Sequence, residues 1–470
     1  MNQNFFPASD QKSSVPKDEE TIMKYWKDHD IFKRSVEERS PENSYRFFDG
    51  PPFATGLPHY GHMIGGTLKD AIPRYWTMKG YRVDRKFGWD CHGLPVEFLV
   101  EKENDIKGKP GIEEIGVGTF NEMCRSVVDR CSTEWKTTVE RMGRFVDMED
   151  DYKTMDVNFM ESVWWVFGQM WDKGYVYEGE KVLAYSPKLG SPLSNMEANL
   201  NYKDIDDPAV TVSFSLEDGS KVLAWTTTPW TLPSNVGLGF GKNHTYVLVD
   251  HEGEKYWIAE AAAARYFGEE FTDNVIDKKQ GTEFKGLNYE PLFPFFGKND
   301  EVTRFICVHD LGDYITTGEG TGIVHFAPAF GEDDAKVCDR FELYGINPIN
   351  DEGYFEFETA STTRKGVPTL VNSELEDLKA LDGRYFRSDD EVEGSKENNA
   401  NDWVLQALKE SGKLFKREQI RHSYPHCWRT DCALMYRGVK TWFIDVQKIK
   451  DRMLELNQDI NWIPGHLKDG

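Results

Sequence analysis

Between Arg46 and Arg85 the apolar pattern changes period twice. Arg46-Phe47-Phe48 reads as a short strand running into the loop Asp49-Gly50-Pro51-Pro52. Beyond the loop, Ile64, Leu68, Ile72, Tyr75 and Trp76 recur every three to four residues until Gly80, which predicts a helix over Gly61 to Lys79 with a kink at Pro73. Tyr81 to Arg85 reads as a second strand. A strand, a helix and another strand in this order commit the segment to a parallel α/β layer, where ligands gather at the carboxyl ends of the strands.

With 470 residues the chain exceeds what one hydrophobic core accommodates, so two or more domains are expected. Ahead of the α/β opening, Asp18 to Val36 places Ile22, Tyr25, Trp26, Ile31 and Phe32 at helical spacing, which predicts an amphipathic helix within an arm over 1–44. From about Tyr202 the texture becomes alternating, as in Val210-Thr211-Val212-Ser213-Phe214 and Tyr246-Val247-Leu248-Val249, and a β-rich domain over 202–402 follows. Ser388 to Asp402 is polar and acidic and reads as a surface loop or disordered insert. Trp403 to Ser411 reads as a helix capped by Gly412, opening a last segment over 403–470.

No run approaches the roughly eighteen apolar residues of a membrane span, and the amino terminus lacks the basic and apolar pattern of a targeting peptide, so no membrane partner and a cytoplasmic location are expected. Seven scattered cysteines read as reduced thiols rather than a disulfide framework. A formal charge of −24, from 56 Lys and Arg against 80 Asp and Glu, opposes a general nucleic-acid binder.

Chemistry concentrates first at Gly50-Pro51-Pro52-Phe53-Ala54-Thr55-Gly56-Leu57-Pro58-His59-Tyr60-Gly61-His62. His59 and His62 flank Gly61 where the loop becomes a helix, so imidazole groups, backbone N–H groups and the helix dipole can converge on an anion such as a nucleotide triphosphate. Taken alone, the two histidines are equally a solvated turn or half of a metal site. A second stretch, Gly88-Trp89-Asp90-Cys91-His92-Gly93-Leu94-Pro95-Val96-Glu97, puts Asp90 in a glycine-flanked loop, where an aspartate is commonly a turn residue.

Together the two stretches resemble the HIGH element and the amino-acid site of class I aminoacyl-tRNA synthetases. Tyr60 stands where the named signature has isoleucine. The Gly-Pro-Pro prefix is similar to the branched-chain group, and the Gly-Trp-Asp-Cys-His-Gly wording resembles the isoleucine enzymes rather than the leucine or valine ones. The resemblance implies a Rossmann-like catalytic domain over 45–201, with a connective region, interrupted by a β-rich editing domain and resumed over 403–470. It implies L-isoleucine, ATP with Mg²⁺ and tRNA(Ile) as ligands. His59, Gly61 and His62 would serve ATP, with His59 and His62 catalytic. Gly50 and Pro51 would line the isoleucine pocket, and Asp90 would hold the substrate ammonium.

A hydrophobic pocket separates isoleucine from valine by only about 1–3 kcal/mol, a limit for which isoleucine enzymes are themselves the usual illustration, so a second sieve is expected. Trp225-Thr226-Thr227-Thr228-Pro229-Trp230-Thr231-Leu232-Pro233-Ser234-Asn235 resembles the threonine-rich peptide of the family's hydrolytic site, and the stretch from Gly322 through His325 to Asp334 resembles its second wall. Each piece alone reads as an ordinary strand-to-turn or helix-start boundary. The resemblance implies that Thr226, Thr227, Thr228, Thr231 and Asn235 shape the adenosine and water site, that Asp334 pairs with the ammonium of a misattached valine, and that His325 excludes isoleucine.

Departures matter too. Where many bacterial relatives carry two C-x-x-C pairs, this chain has Ser186-Pro187-Lys188-Leu189 and Cys427-Trp428-Arg429-Thr430, so no structural zinc is expected. Tyr185-Ser186, Leu193-Ser194-Asn195 and His422-Ser423-Tyr424-Pro425 resemble the eukaryotic-type branch. No KMSKS-like loop or anticodon-binding helical domain follows, and the chain reads as the amino-terminal part of such an enzyme, holding half of the synthetic site. The rival readings are a non-catalytic synthetase-like binding module and a valine enzyme.

Overall fold

The computed structural model describes residues 14–297, 304–309, 314–362 and 375–468, and the first thirteen residues of the predicted arm lie outside them. The chain divides into two units, Met1–Tyr175 and Val176–Gly470, with mixed sheets and helices.

In the first unit the predicted arm helix is two helices, α1 (Val15–Asp28) and α2 (Ile31–Glu37), because Asp30 between them sits at φ 49°, in the left-handed region that stops a helix. The helix after the histidine loop, α3 (Tyr60–Met78), runs through Pro73. Its apolar repeat Ile64, Leu68, Ile72 and Tyr75 is exposed. Polar contacts anchor its far end instead: Arg39 donates to the Thr77 carbonyl at 3.0 Å, and the buried Arg85 donates to the Thr77 hydroxyl.

The two strands predicted at Arg46–Phe48 and Tyr81–Arg85 are not strands. Only isolated parallel bridges, Ser44 to Arg82 and Phe53 to Asp90, join the two segments. Pro51 and Pro52 have no N–H to donate to a ladder, so pairing breaks off between the bridges. The parallel strand pair is instead β1 (Lys86–Trp89) with β2 (Asp147–Lys153), whose register shifts between Lys86 and Gly88. Helices α4 (Leu94–Asn104), α5 (Gly108–Ile115) and α6 (Val117–Arg141) lie between them in sequence, and α7 (Val157–Asp172) follows. Along α6 the residues Phe120, Val127, Val128, Cys131, Trp135 and Val139 are buried at helical spacing, and with Phe87 and Trp89 of β1 they form this unit's core.

The second unit begins with β3 (Val176–Ser186), β4 (Ser191–Pro192) and the single turn α8 (Asn195–Ala198). The strands β5 (Tyr202–Ser215), β6 (Lys221–Thr226), β7 (Gly237–Phe240), β8 (Thr245–His251) and β9 (Glu254–Ala259) follow, then α9 (Glu260–Phe267), β10 (Val275–Gln280), β11 (Ile306–His309), β12 (Ile323–Phe326) and α10 (Glu332–Asp339). The chain ends through β13 (Ile346–Asn347), β14 (Ser361–Thr362), α11 (Glu376–Leu381), α12 (Ala400–Glu410), β15 (Leu414–Pro425), β16 (Met435–Ile444) and α13 (Lys450–Asn457). Among the described residues the largest sheet has the order β10-β8-β9-β6-β5-β15, and a smaller one has the order β11-β7-β12. Val210 to Phe214 are all buried, so the second half of β5 is covered on both faces, whereas β15 alternates between half-buried and exposed over much of its length.

Ser388 to Asp402 is a surface loop running into α12, with most of its polar side chains exposed, but an ordered one: Asp389, Ser395, Asn399 and Asn401 are buried. Asp389 accepts the amides of Glu391 at 2.9 Å and Ala433 at 2.7 Å, and Asn399 caps α12 by accepting the Asp402 amide. Asp389→Ala should therefore lower the stability of this unit by about 3 kcal/mol, since it strands a buried N–H. Urea unfolding followed by tryptophan fluorescence measures this, with faster exchange of the Ala433 amide as the local signature. An unchanged midpoint would show that the segment does not hold the fold.

Candidate functional site

In the first unit the histidines build a cap out of each other. His59 is the N-cap of α3; its Nδ1 accepts the Gly61 amide at 3.1 Å, and Nδ1 of His62 accepts the His59 amide at 3.3 Å. The rings stack with centroids 3.7 Å apart. Because each Nδ1 is an acceptor, each Nε2 carries the ring proton, and neither Nε2 has a protein partner among the described residues. Burial chiefly, with His59 and Lys69 adding to it, holds the His62 pKa below the usual histidine range. The pair thus offers two Nε2–H donors at a helix N-terminus.

The Gly50-Pro51 loop and Asp90 come together through their backbones. The Asp90 amide donates to the Pro52 carbonyl at 2.8 Å, and the Ala54 amide donates to the Asp90 carbonyl at 3.1 Å. Upstream, Asp49 is ion-paired to Lys69 and to Arg144, the latter at 2.6 Å, and Lys69 also donates to the Gly50 carbonyl. This leaves the half-buried carboxylate of Asp90 with no hydrogen-bond or ion-pair partner among the described residues, although it stands on a rigid backbone. Trp135 joins the core to the site, donating to the Gly56 carbonyl and lying 4.7 Å from the His62 ring. A cavity of about 90 Å³ opens beside His62, walled by Thr67, Asp70, Trp135 and Arg144, and Asp90 is not part of its wall.

In the second unit, β6 ends at Thr226 and a 3-10 helix, Pro229–Ser234, turns the chain towards β7, which pairs antiparallel with β12 and sets His325 opposite Leu238. His325, Thr231 and Asn235 are buried together. Nε2 of His325 lies 2.9 Å from the Thr231 hydroxyl, which donates to the Thr228 carbonyl at 2.8 Å. The hydroxyls of Thr226, Thr228 and Thr231 follow one another at 3.2 and 3.3 Å. Asn235 donates to the Gly237 carbonyl at 3.0 Å and reaches Nδ1 of His325 at 3.5 Å. Thr227 is half-buried and takes no part in this chain.

Asp334, in the first turn of α10, folds back so that one carboxylate oxygen accepts the Ala327 amide at 3.0 Å and the other accepts the Tyr314 hydroxyl at 3.1 Å. It shares no hydrogen bond with the threonine chain and is linked to it through Ala327, next to the end of β12. A side chain at Gly331 would lie 2.7 Å from the Asp334 carboxyl carbon, so the fold-back needs glycine there. Sequence reasoning missed Tyr289, whose phenol donates to Asn235 at 2.5 Å, Asn401, which accepts the Trp230 amide at 3.0 Å, and Tyr314. No spacing or motif links these residues to the site; only the fold does.

Near Ser186, the structure adds a thiol to the expected arrangement. Cys432 lies 3.5 Å from the Ser186 hydroxyl and 3.1 Å from the Thr430 hydroxyl, and its carbonyl accepts the Cys427 amide. No three His, Cys, Asp or Glu side chains form a metal-holding group among the described residues.

Burial pulls the His325 pKa down to about 4 and pushes that of Asp334 up to about 6, against the Ala327 hydrogen bond. The two have opposite linkage. His325 binds its proton less readily folded than unfolded, so its contribution is present above about pH 6.5 and is lost as pH falls towards 4, by up to about 3 kcal/mol. Asp334 holds its proton more readily when folded, so its contribution is present below about pH 4 and is lost as pH rises through 6. The two offset each other between pH 4 and 6. Asp334→Asn should steepen the loss of stability on acidification and His325→Gln should flatten it, as read from urea midpoints at pH 4.5, 5.5 and 7. Parallel curves for all three proteins would remove both groups from the balance.

No helix among the described residues is long and apolar enough to cross a membrane. The family model for class I tRNA synthetases (I, L, M and V) matches residues 21–469. The chain is 46% identical to an isoleucine–tRNA ligase of Bdellovibrio bacteriovorus over 97% of its own length and 41% of the relative's. It is 44% identical to an isoleucine–tRNA ligase of Treponema denticola, covering 98% and 42%, and 43% identical to one of Chlamydia caviae, covering 98% and 41%. It thus spans about two fifths of the length of these curated relatives. With a match over nearly all of its residues, the chain belongs to the class I tRNA synthetase family.

Proposed function

We propose that this chain carries the amino-acid activation residues and the hydrolytic editing domain of an isoleucine–tRNA ligase of the cytoplasm. Residues 45–201 and 403–470 belong to the catalytic and connective parts, 202–402 form the editing domain, and 1–44 the arm. The observation that carries this reading is the assembly of Thr226, Thr228, Thr231, Asn235 and His325, from two distant segments, into one hydrogen-bonded wall.

Activation joins the isoleucine carboxylate to the α-phosphorus of ATP while the bond to the bridging oxygen breaks and pyrophosphate leaves. The Nε2–H groups of His59 and His62, at the start of α3, stabilise charge on the phosphates. Mg²⁺ enters as part of the ATP substrate, since triphosphate oxygens and water suit that ion without a protein cage. The partnerless carboxylate of Asp90 takes the isoleucine ammonium, with Gly50 and Pro51 beside it.

In editing, water attacks the ester carbonyl of Val-tRNA, the ester bond to the ribose breaks, and valine leaves. Both nitrogens of His325 are engaged, one with Thr231 and one with Asn235, so His325 bounds the pocket rather than taking a proton. Asp334 holds the valyl ammonium, and the water is positioned by threonine hydroxyls and the substrate's own ribose. We further propose that the cluster of Ser186, Cys427, Thr430 and Cys432 folds without zinc, having two thiols where a closed site needs four ligands.

The test is deacylation of Val-tRNA at low salt, where a −24 chain still meets tRNA. Asp334→Ala should slow it by roughly 30-fold or more, the effect of losing one partner of a desolvated charge pair. His325→Ala should release Ile-tRNA to hydrolysis. Val-tRNA hydrolysis at the unmodified rate in the first variant, or Ile-tRNA still spared in the second, would overturn the respective role.

A further inference from the structure

Behind the proposed editing pocket the hydrogen bonds have a direction. Tyr289 is buried, 5% exposed, and is placed by backbone pairing with Leu216 and Phe305. Its phenol donates to Oδ1 of Asn235 at 2.5 Å. Burial drives its pKa well above 10, so the group keeps its proton and remains a donor. With Oδ1 occupied, Asn235 turns Nδ2 to the Gly237 carbonyl and to Nδ1 of His325. At 3.5 Å the latter contact orients more than it stabilises. Nδ1 is then an acceptor, the imidazole proton sits on Nε2, and the ring donates to Thr231, whose own hydroxyl donates to the Thr228 carbonyl.

We propose that Tyr289 is a positioning residue for discrimination at the editing site, acting through Asn235 to fix His325 in its Nε2–H form and in one orientation. This inference rests on the editing reading given above. A ring held at both nitrogens presents a fixed wall to the larger isoleucyl group. A ring that exchanges tautomers gives up the Thr231 contact part of the time and yields. Without the phenol, Oδ1 of Asn235 is buried with no donor, and the amide gains from turning Oδ1 towards the imidazole, which moves the proton to Nδ1.

The experiment uses the full chain with ¹⁵N-labelled histidine at pH 7, His325 being assigned through His325→Gln. In the unmodified chain Nδ1 should resonate as an unprotonated nitrogen and Nε2 as a protonated one. In Tyr289→Phe both should move towards intermediate positions, and in Asn235→Asp, which replaces the amide donor by an acceptor, the proton should lie on Nδ1. Tyr289→Phe should also raise Ile-tRNA deacylation roughly five- to tenfold, the effect of one net hydrogen bond, with Val-tRNA deacylation within about twofold of unmodified. A His325 spectrum unchanged in both variants overturns the proposal, and so does a shifted tautomer with an unchanged ratio of Ile-tRNA to Val-tRNA hydrolysis. Failure of the unmodified chain to hydrolyse Val-tRNA would sink the editing reading instead, while the spectra would still decide whether Tyr289 sets the tautomer.

Discussion

Pairing between β5 and β15 is the constraint on which the second unit depends. The ladder runs from Tyr202 opposite Pro425 to Val212 opposite Leu414, joining segments far apart in the chain; the Ser213 amide donates to the Lys413 carbonyl across 200 positions. Closing so long a loop is inexpensive, because each doubling of length costs only about 0.6 kcal/mol. What the ladder secures is register. A slip by one residue would turn the alternating face of β15 inside out and unseat β6, which pairs along β5. The proposed editing site hangs from that register, since Thr226 ends β6 and the turn after it is pinned from the far end of the closed loop, where Asn401 accepts the Trp230 amide. Across the same ladder His422 of β15 lies 2.9 Å from the buried Asp207 of β5, which Arg387 also engages at 2.7 Å.

Both proposed sites solve one problem in different ways: a histidine has to be neutral and its proton has to be in a known place. At α3 the backbone does this, since the amides of Gly61 and His59 each donate to an Nδ1 and leave the Nε2–H groups outward-available for a ligand. At His325 side chains do it, and the Nε2–H is spent inside the protein on Thr231. The first arrangement suits stabilising an anion and the second suits forming a wall. Neither needs an ionised imidazole, and burial favours the neutral form in each case.

How much of this was legible in the sequence follows from which interactions are local. The helix after the histidine loop was legible because its periodicity and its capping residues lie within twenty positions of each other. The strands flanking it were not, because a short apolar segment does not show whether a partner strand lies beside it, and here only isolated bridges, Ser44 to Arg82 and Phe53 to Asp90, form. The strand β2, Asp147–Lys153, carries no strand pattern in its sequence because it is rich in acids, which are depleted in strands; here neighbours engage them, with Asp150 paired to Lys86, Glu149 to Lys136, and Asp151 accepting from Trp89. Ser388 to Asp402 was legible as a surface loop but not as an ordered one, because a few of its polar residues, Asp389 and Asn399 among them, are buried acceptors for backbone amides. The threonine peptide, His325 and Asp334 were legible through family resemblance, but Tyr289, Asn401 and Tyr314 reach the site across tertiary distances that no pattern encodes.

Under the editing reading proposed above, Asp334 would meet the ammonium of the misattached amino acid, and the fold holds its carboxylate in a way that suits such a partner. Burial raises its pKa to about 6 although it accepts two hydrogen bonds, so its ionised form is held at a cost. On the proposed reading an ammonium beside it would reverse that balance, because an opposite charge lowers the carboxylate pKa again. Ammonium binding is then favoured by what the fold has prepaid, and the fold can tolerate it because Gly331 lets the side chain double back onto Ala327 with no Cβ in its path. The same logic separates the neighbouring groups by role. On that reading the carboxylate contacts the ammonium, which valine and isoleucine share, and so does not tell them apart. Discrimination then falls to a group that gains nothing from the ligand, the role proposed for His325, whose ring nitrogens already lie against Thr231 and Asn235.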